Sequence, residues 1–232
     1  FKIAEYGTVY RYERSGQLYG TMRTRGFTQN DAHIYCTLDQ AKDQFLEVMQ
    51  MHDEYYRALG IHDFYMVLAL RDPDNTDKYH DDEQMWQDAE RIMEESNIPF
   101  VEDPGGAAHY GPKVDFMIRT VTGKPYAAST NQVDLYTPSR FDLGYTDSDG
   151  AEKPVAVIHR APLGSHERFV GFLTEHFGGA FPVWLAPEQV RVIPVMPDLD
   201  DYAYKVRDMI FDAGLRVDVD DSDARLNAKI RT

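Results

Sequence analysis

Apolar side chains recur at the spacing of an amphipathic helix from Leu38 through Ala41, Phe45, Val48, Met49, His52, Tyr56 and Leu59, and Gly60 closes the run. Just ahead of it, Thr37-Leu-Asp-Gln40 has the form of a capping box. Phe64 to Leu70 is an unbroken apolar stretch of a length that suits a buried strand. Asp81 to Ser96 predicts a second helix, with Trp86, Ala89 and Met93 on one face. Gly105-Gly106 marks a loop, after which Lys113 to Thr120, Pro125 to Leu135 and Pro154 to Arg160 read as strands. Near the start, Tyr6 to Arg11 and Asp31 to Thr37 are strand-like and flank a Gly- and Arg-rich loop with too few apolar residues to pack by itself. Gly164 opens a helix from Ser165 to Phe177 that is apolar on most sides apart from Glu167, Arg168 and Glu175, which predicts a buried helix.

Strands grouped with hairpin-like connections, and helices that do not alternate regularly with them, favour an α+β fold: a mostly antiparallel sheet with helices on one face. The pattern changes near Pro187. Val190 to Val195 as strand, Leu199 to Ala213 as helix, Gly214, and Leu215 to Val219 as strand form the start of a βαβ unit. No internal repeat or low-complexity linker interrupts the chain.

A chain of 232 residues, 43% of them hydrophobic, can bury one sizeable core and a small second domain. No stretch approaches the apolar length that spans a bilayer and no leader is visible, so the expectation is a soluble protein without a membrane partner. The single cysteine, Cys36, rules out an internal disulfide framework and fits a reducing, cytoplasmic compartment. A first residue of Phe, and a last segment Asn227-AKIR-Thr232 without a helix end, read as a piece of a longer chain. The net charge of -15 argues, taken alone, against a nucleic-acid partner. Its distribution alters that. Acids concentrate at Asp72 to Asp103, Asp147 to Glu152 and Asp198 to Asp223, whereas arginines gather in the first hairpin and around Arg168.

Arg11, Arg23, Arg25 and Arg168 each present a planar, permanently charged fork of donors suited to phosphate oxygens. Arg168, on a mostly apolar helix, must find an anion or bear a large desolvation cost. His33 and His159 match no local metal spacing and, taken alone, are more often core histidines than ligands. Serine-protease-like, Gly-rich phosphate-loop and paired-cysteine motifs are absent.

The run Arg23-TRGFTQNDAHIY-Cys36 and the later segment His159-Arg-Ala-Pro-Leu-Gly-Ser-His-Glu-Arg168 resemble motifs 2 and 3 of the class II aminoacyl-tRNA synthetases, and within that class the threonyl-tRNA synthetases. The likeness covers essentially the whole chain, through His109-Tyr-Gly-Pro-Lys113, Ser129-Thr-Asn-Gln132 and Ala180-Phe-Pro-Val-Trp-Leu-Ala-Pro187. It implies a catalytic core over 1–187 and the start of a small α/β anticodon-binding domain over 188–232. The reaction implied is ATP-dependent activation of L-threonine to its adenylate and transfer to tRNA(Thr), by a homodimer in full length.

By the same resemblance Arg11 and Arg168 are catalytic, and ATP, with Mg2+, is held by Arg11, Glu13, Arg23, Phe27, Lys113 and Arg168. Gln29, Asp31, Tyr110 and Gln132 line the threonine pocket, and His33 and His159 hold a zinc ion whose third ligand is a cysteine upstream of Phe1. Cys36 is not that ligand. The chain departs from the pattern at Ala127, where a glutamine that helps bind ATP is common, and at Asn30, where an acid is common. A non-catalytic relative that kept the fold for regulation or scaffolding is the alternative. It would have no physical use for Arg11, Glu13, Arg23, Asp31 and Arg168 together.

Overall fold

Alternation of buried and half-exposed side chains builds one sheet of seven strands. In the computed structural model, which describes residues 1–72, 74, 75 and 77–231, the sheet contains β1 (Lys2–Tyr10), β2 (Gly26–Cys36), β3 (Phe64–Leu70), β4 (Val101–Pro104), β5 (Lys113–Arg119) and β6 (Pro125–Asp134). A separate hairpin, β7 (Gly144–Thr146) with β8 (Glu152–Pro154), precedes the last strand of the sheet, β9 (Ala156–Ala161). The spatial order is β1-β2-β9-β6-β5-β3-β4, antiparallel except for the β3–β4 pair. On β2, Ala32, Ile34 and Cys36 are buried, while Asp31, His33 and Tyr35 alternate with them toward the other face.

The apolar face is covered by α1 (Leu38–Ala58), which buries Ala41, Phe45, Val48, Met49, His52 and Tyr56. Each fully buried large apolar side chain contributes about 1.5–3 kcal/mol, so this helix is a principal source of the unit's stability. Gln40 reaches back to accept from the Thr37 backbone N–H at 3.2 Å, the capping contact that the sequence predicts. Next come α2 (Glu83–Glu94), which packs on α1, and a short α3 (Tyr136–Arg140) at the end of β6.

Helix α4 (His166–His176) departs from expectation. It is buried along one side only, through Phe169, Phe172 and Leu173, and Val170 is 57% exposed. Its opposite flank runs beside the loop between β1 and β2, so closely that a Cβ on Gly171 would lie 2.3 Å from Thr21 Oγ1. An apolar composition here serves a loop neighbour as well as the core.

Gly164 fixes where α4 begins. Its φ is +57°, and a Cβ there would lie 2.4 Å from the carbonyl oxygen of Ala128. That carbonyl belongs to an irregularity in β6, where the register with β5 shifts between Phe116 and Met117 and Ala128 is the extra residue. The bulge and the glycine together let the α4 N-terminus approach the sheet.

The chain divides into two compact units, Phe1–His176 and the residues from Phe177 onward. In the second, β10 (Val190–Val192) pairs in parallel with β11 (Val217–Val219), with α5 (Asp200–Asp212) between them and α6 (Leu226–Lys229) after. This is the βαβ order that the sequence predicts. No described helix is long and apolar enough to cross a membrane.

Candidate active site

The face of the sheet away from α1 carries a cavity of about 350 Å³. Arg11, Glu13, Arg23, Phe27, Gln29, Tyr110, Lys113, Gln132 and Arg168 all line it. The three arginines thus come together from a strand end, a loop and a distant helix. Arg11 lies over the Phe27 ring, 5.1 Å from its centroid, and Arg168 over the Tyr126 ring at 5.6 Å. Arg168 Nε donates to the Met22 carbonyl at 2.8 Å, which fixes the guanidinium without neutralising it. Arg23 pairs with Glu13 at 3.0 Å.

Arg25 behaves differently from the other three. Its guanidinium turns back to the Glu13 carbonyl at 3.0 Å and Ser15 Oγ at 3.2 Å, outside the cavity lining. It braces the loop, so the anion-binding expectation does not hold for it in this geometry.

On the edge of β2 that faces away from β1, Gly26–Asp31 has no partner strand among the described residues, because β9 pairs only with Ala32–Cys36. The N-terminus of α4 fills the gap. Both carboxylate oxygens of Glu167 accept from the Thr28 backbone N–H, at 3.0 and 2.9 Å, and Ser165 bridges to Gln29. Burial works against charge on Glu167, but hydrogen bonds from backbone N–H groups outweigh it and hold the carboxyl below its ordinary range. Glu167 therefore ties the strand of Phe27 and Gln29 to the helix of Arg168.

Further along the same strands lies a cross-strand row in register: His33 on β2, His159 on β9, Gln132 on β6 and Lys113 on β5. The His33 and His159 rings stand edge to face, with centroids 4.7 Å apart. Burial, then the neighbouring His159, lowers the His33 pKa, while Asp31 and Glu5 act in the opposite direction. Neutral imidazole is the form that can ligate a metal. Tyr110 packs against His159 at 5.1 Å and donates from its hydroxyl to Gln132 Oε1, whose amide in turn donates to Thr130 Oγ1 at 2.8 Å. Burial, with Asp134 and Asp31 nearby, raises the Tyr110 phenol well above its ordinary value. Asp31 sits two residues before His33 and so on the same face.

Asp31, His33 and His159 lie outside the cavity lining but border Gln132 and Tyr110, which belong to it. Among the described residues, no group of three or more His, Cys, Asp or Glu side chains is arranged to hold a metal ion. Cys36 is three residues from His33, on the opposite face, and burial pushes its thiol up to about 11. Sequence reasoning missed Asp115, whose carboxylate pairs with Lys113, and Ser165 and Thr130, which also line the cavity. It also missed the buried Asp134 behind His159. Ala127 lines the cavity and presents no hydrogen-bonding side chain.

Comparison with known proteins places the chain in a family. The family model described as "tRNA synthetase class II core domain (G, H, P, S and T)" matches residues 1–177, and one described as "Anticodon binding domain" matches residues 189–232. The chain is 48% identical to a threonine–tRNA ligase of Deinococcus radiodurans and 47% identical to that of Deinococcus deserti. The matches cover 99% and 100% of this chain, and 36% of each relative. The chain therefore spans about a third of the length of these curated relatives. Among solved structures it is similar to the RNA-binding domain of threonyl-tRNA synthetase from Cryptosporidium parvum, with a TM-score of 0.89 and 33% identity over 99% of this chain and 58% of that one.

Proposed function

From the premise that this chain belongs to the class II tRNA synthetase core family, we propose that it is the catalytic part of a threonine–tRNA ligase. Residues 1–187 form the core and 188–232 the start of an anticodon-binding domain. The observation that carries the reading is a cavity in which Arg11, Arg23 and Arg168 face one space, bordered by the Asp31, His33 and His159 cluster. Arg23 is paired with Glu13, but Arg11 and Arg168 make no ion pair among the described residues, and a polyphosphate would offset the repulsion of cations facing one space.

In the first step a carboxylate oxygen of L-threonine attacks the α-phosphorus of ATP. The new O–P bond forms as the bond from that phosphorus to the β-phosphate bridge breaks, and pyrophosphate leaves, its charge one that bound Mg2+ would offset. No protein nucleophile is needed, so catalysis rests on position and charge. Arg11 contacts the α-phosphate, and Arg23 and Arg168 the outer phosphates. Phe27 stacks on the adenine, Glu13 faces it, and Lys113 completes the nucleotide site. Gln29, Asp31, Tyr110 and Gln132 surround threonine, with Asp31 receiving its hydroxyl.

The paired imidazoles of His33 and His159 fit a zinc ion, with a cysteine outside the described residues as the third ligand. When bound, zinc would supply open coordination for both the amine and the hydroxyl of the substrate, so that valine, which lacks the hydroxyl, would forfeit a ligand rather than a methyl contact. A ribose hydroxyl at the 3′ end of tRNA(Thr) then attacks the carbonyl carbon of the adenylate, the new ester C–O bond forming as the carbonyl–phosphate bond breaks, with AMP and the hydroxyl proton released, within a cytoplasmic homodimer at full length.

The test is ATP–pyrophosphate exchange by the full-length protein with threonine, serine, valine and proline. Threonine should be strongly preferred, and His159→Ala should abolish zinc content and threonine activation while ATP binding persists. Exchange that prefers proline, or a His159→Ala variant that still separates threonine from valine normally, would overturn the assignment.

A further inference from the structure

Asp134 is fully buried at the end of β6, where an ionised carboxylate costs several kcal/mol unless it is compensated. Its compensation is small. Oδ1 accepts from the Thr137 backbone N–H at 2.7 Å, and Oδ2 meets His159 Nε2 at 2.9 Å. Among the described residues it makes no ion pair with lysine or arginine. The titratable side chain it meets is that of His159.

We infer that Asp134 is a positioning residue for His159, fixing the ring with its proton on Nε2 and its lone pair on Nδ1. A carboxylate can only accept, so the ring nitrogen facing it must donate. In a neutral imidazole that leaves Nδ1 as the sole acceptor, on a ring whose neighbours are His33 and Tyr110. A metal ion held by this ring would take Nδ1, with the carboxylate orienting the imidazole from its other nitrogen, as in carboxylate–histidine–metal arrangements elsewhere. The strand register makes this possible: Asp134 stands opposite Val157 and Gln132 opposite His159, so the carboxylate reaches the histidine diagonally. Its metal arm rests on the zinc reading above, and its tautomer arm does not.

The decisive variant is Asp134→Asn. It is isosteric and its amide oxygen can still accept from Thr137, but its NH2 faces His159 Nε2 and favours the other tautomer. Ring nitrogen shifts from two-bond 1H–15N correlation of the metal-free 232-residue chain report the tautomer. Zn2+ affinity of the full-length protein, by chelator competition, reports the consequence. We expect Nε2–H in the unsubstituted protein, Nδ1–H in Asp134→Asn, and a loss of roughly 10- to 100-fold in zinc affinity. Nδ1–H in the unsubstituted protein overturns the inference, and because that measurement needs no variant it stands even if Asp134→Asn fails to fold. Unchanged zinc affinity in a folded Asp134→Asn protein overturns the inference alone. A full-length protein that binds no zinc before substitution overturns the zinc reading, and the metal role of Asp134 with it.

Discussion

His52 should make this fold sensitive to mild acid. It is wholly buried on α1, its ring stacked on Phe116 with centroids 4.4 Å apart and planes 8° apart, and Nδ1 donates to the Val48 carbonyl at 2.8 Å. Burial is the main cause that lowers its pKa from 6.5 to about 4. Between those values an unfolded chain takes up a proton that the folded chain refuses. The stabilisation is therefore complete above pH 6.5 and is lost as pH falls through 4. The whole interval is worth about 3 kcal/mol, of which about 2 kcal/mol is gone by pH 5. His52→Phe keeps the ring stack and removes the titration. Urea unfolding of both proteins at pH 7.5, 6 and 5 should show the unsubstituted protein losing about 2 kcal/mol more than the variant across that range. Stability curves that stay parallel would refute the reasoning.

Gly164→Ala should destabilise the first unit by about 2 kcal/mol or more, since the left-handed backbone alone costs about 1–2 kcal/mol and the Ala128 carbonyl lies in the way. A melting temperature unchanged by the substitution would show that the start of α4 adjusts freely. Glu167→Ala leaves the Thr28 N–H without its acceptor and should cost about 1–3 kcal/mol, raising the KM for ATP as Arg168 and Phe27 lose their register. Glu167→Gln, with one oxygen left, should recover part of both losses, and equal behaviour of the two variants would argue against the clamp. Because burial pushes the Cys36 thiol up to about 11, it should react with iodoacetamide at pH 8 far more slowly in the native protein than in urea. Equal rates would mean that the strand is open.

The elements that could be read from the sequence are those whose stability is written locally. Helix α1 was legible because its buried positions repeat over 21 residues behind a capping box, and β3 because seven apolar residues run unbroken. Strand β4 was not: all four of its residues are exposed, and it exists through pairing with β3, a contact that no local pattern encodes. The five-residue α3 and the β7–β8 hairpin are likewise too short for periodicity to show.

The site divides along the same line. Permanent charge made the arginines conspicuous, yet charge cannot distinguish Arg168, held open over Tyr126 by a single carbonyl, from Arg25, folded back on its own loop. The motif resemblance assigns roles to Arg11, Arg23 and Arg168 and none to Arg25, and the same three arginines line the cavity. Asp134 shows what neither route supplies. In sequence it is one more aspartate at the end of a strand, 25 residues from His159. Only when β6 and β9 pair in the observed register does it come under that imidazole, and only its burial, without an ion pair to lysine or arginine among the described residues, turns the contact into a constraint on where the histidine keeps its proton. Charge and motif draw attention to a residue such as Arg168, whereas a residue that aims another, the role inferred for Asp134, becomes visible once strand register and burial are known.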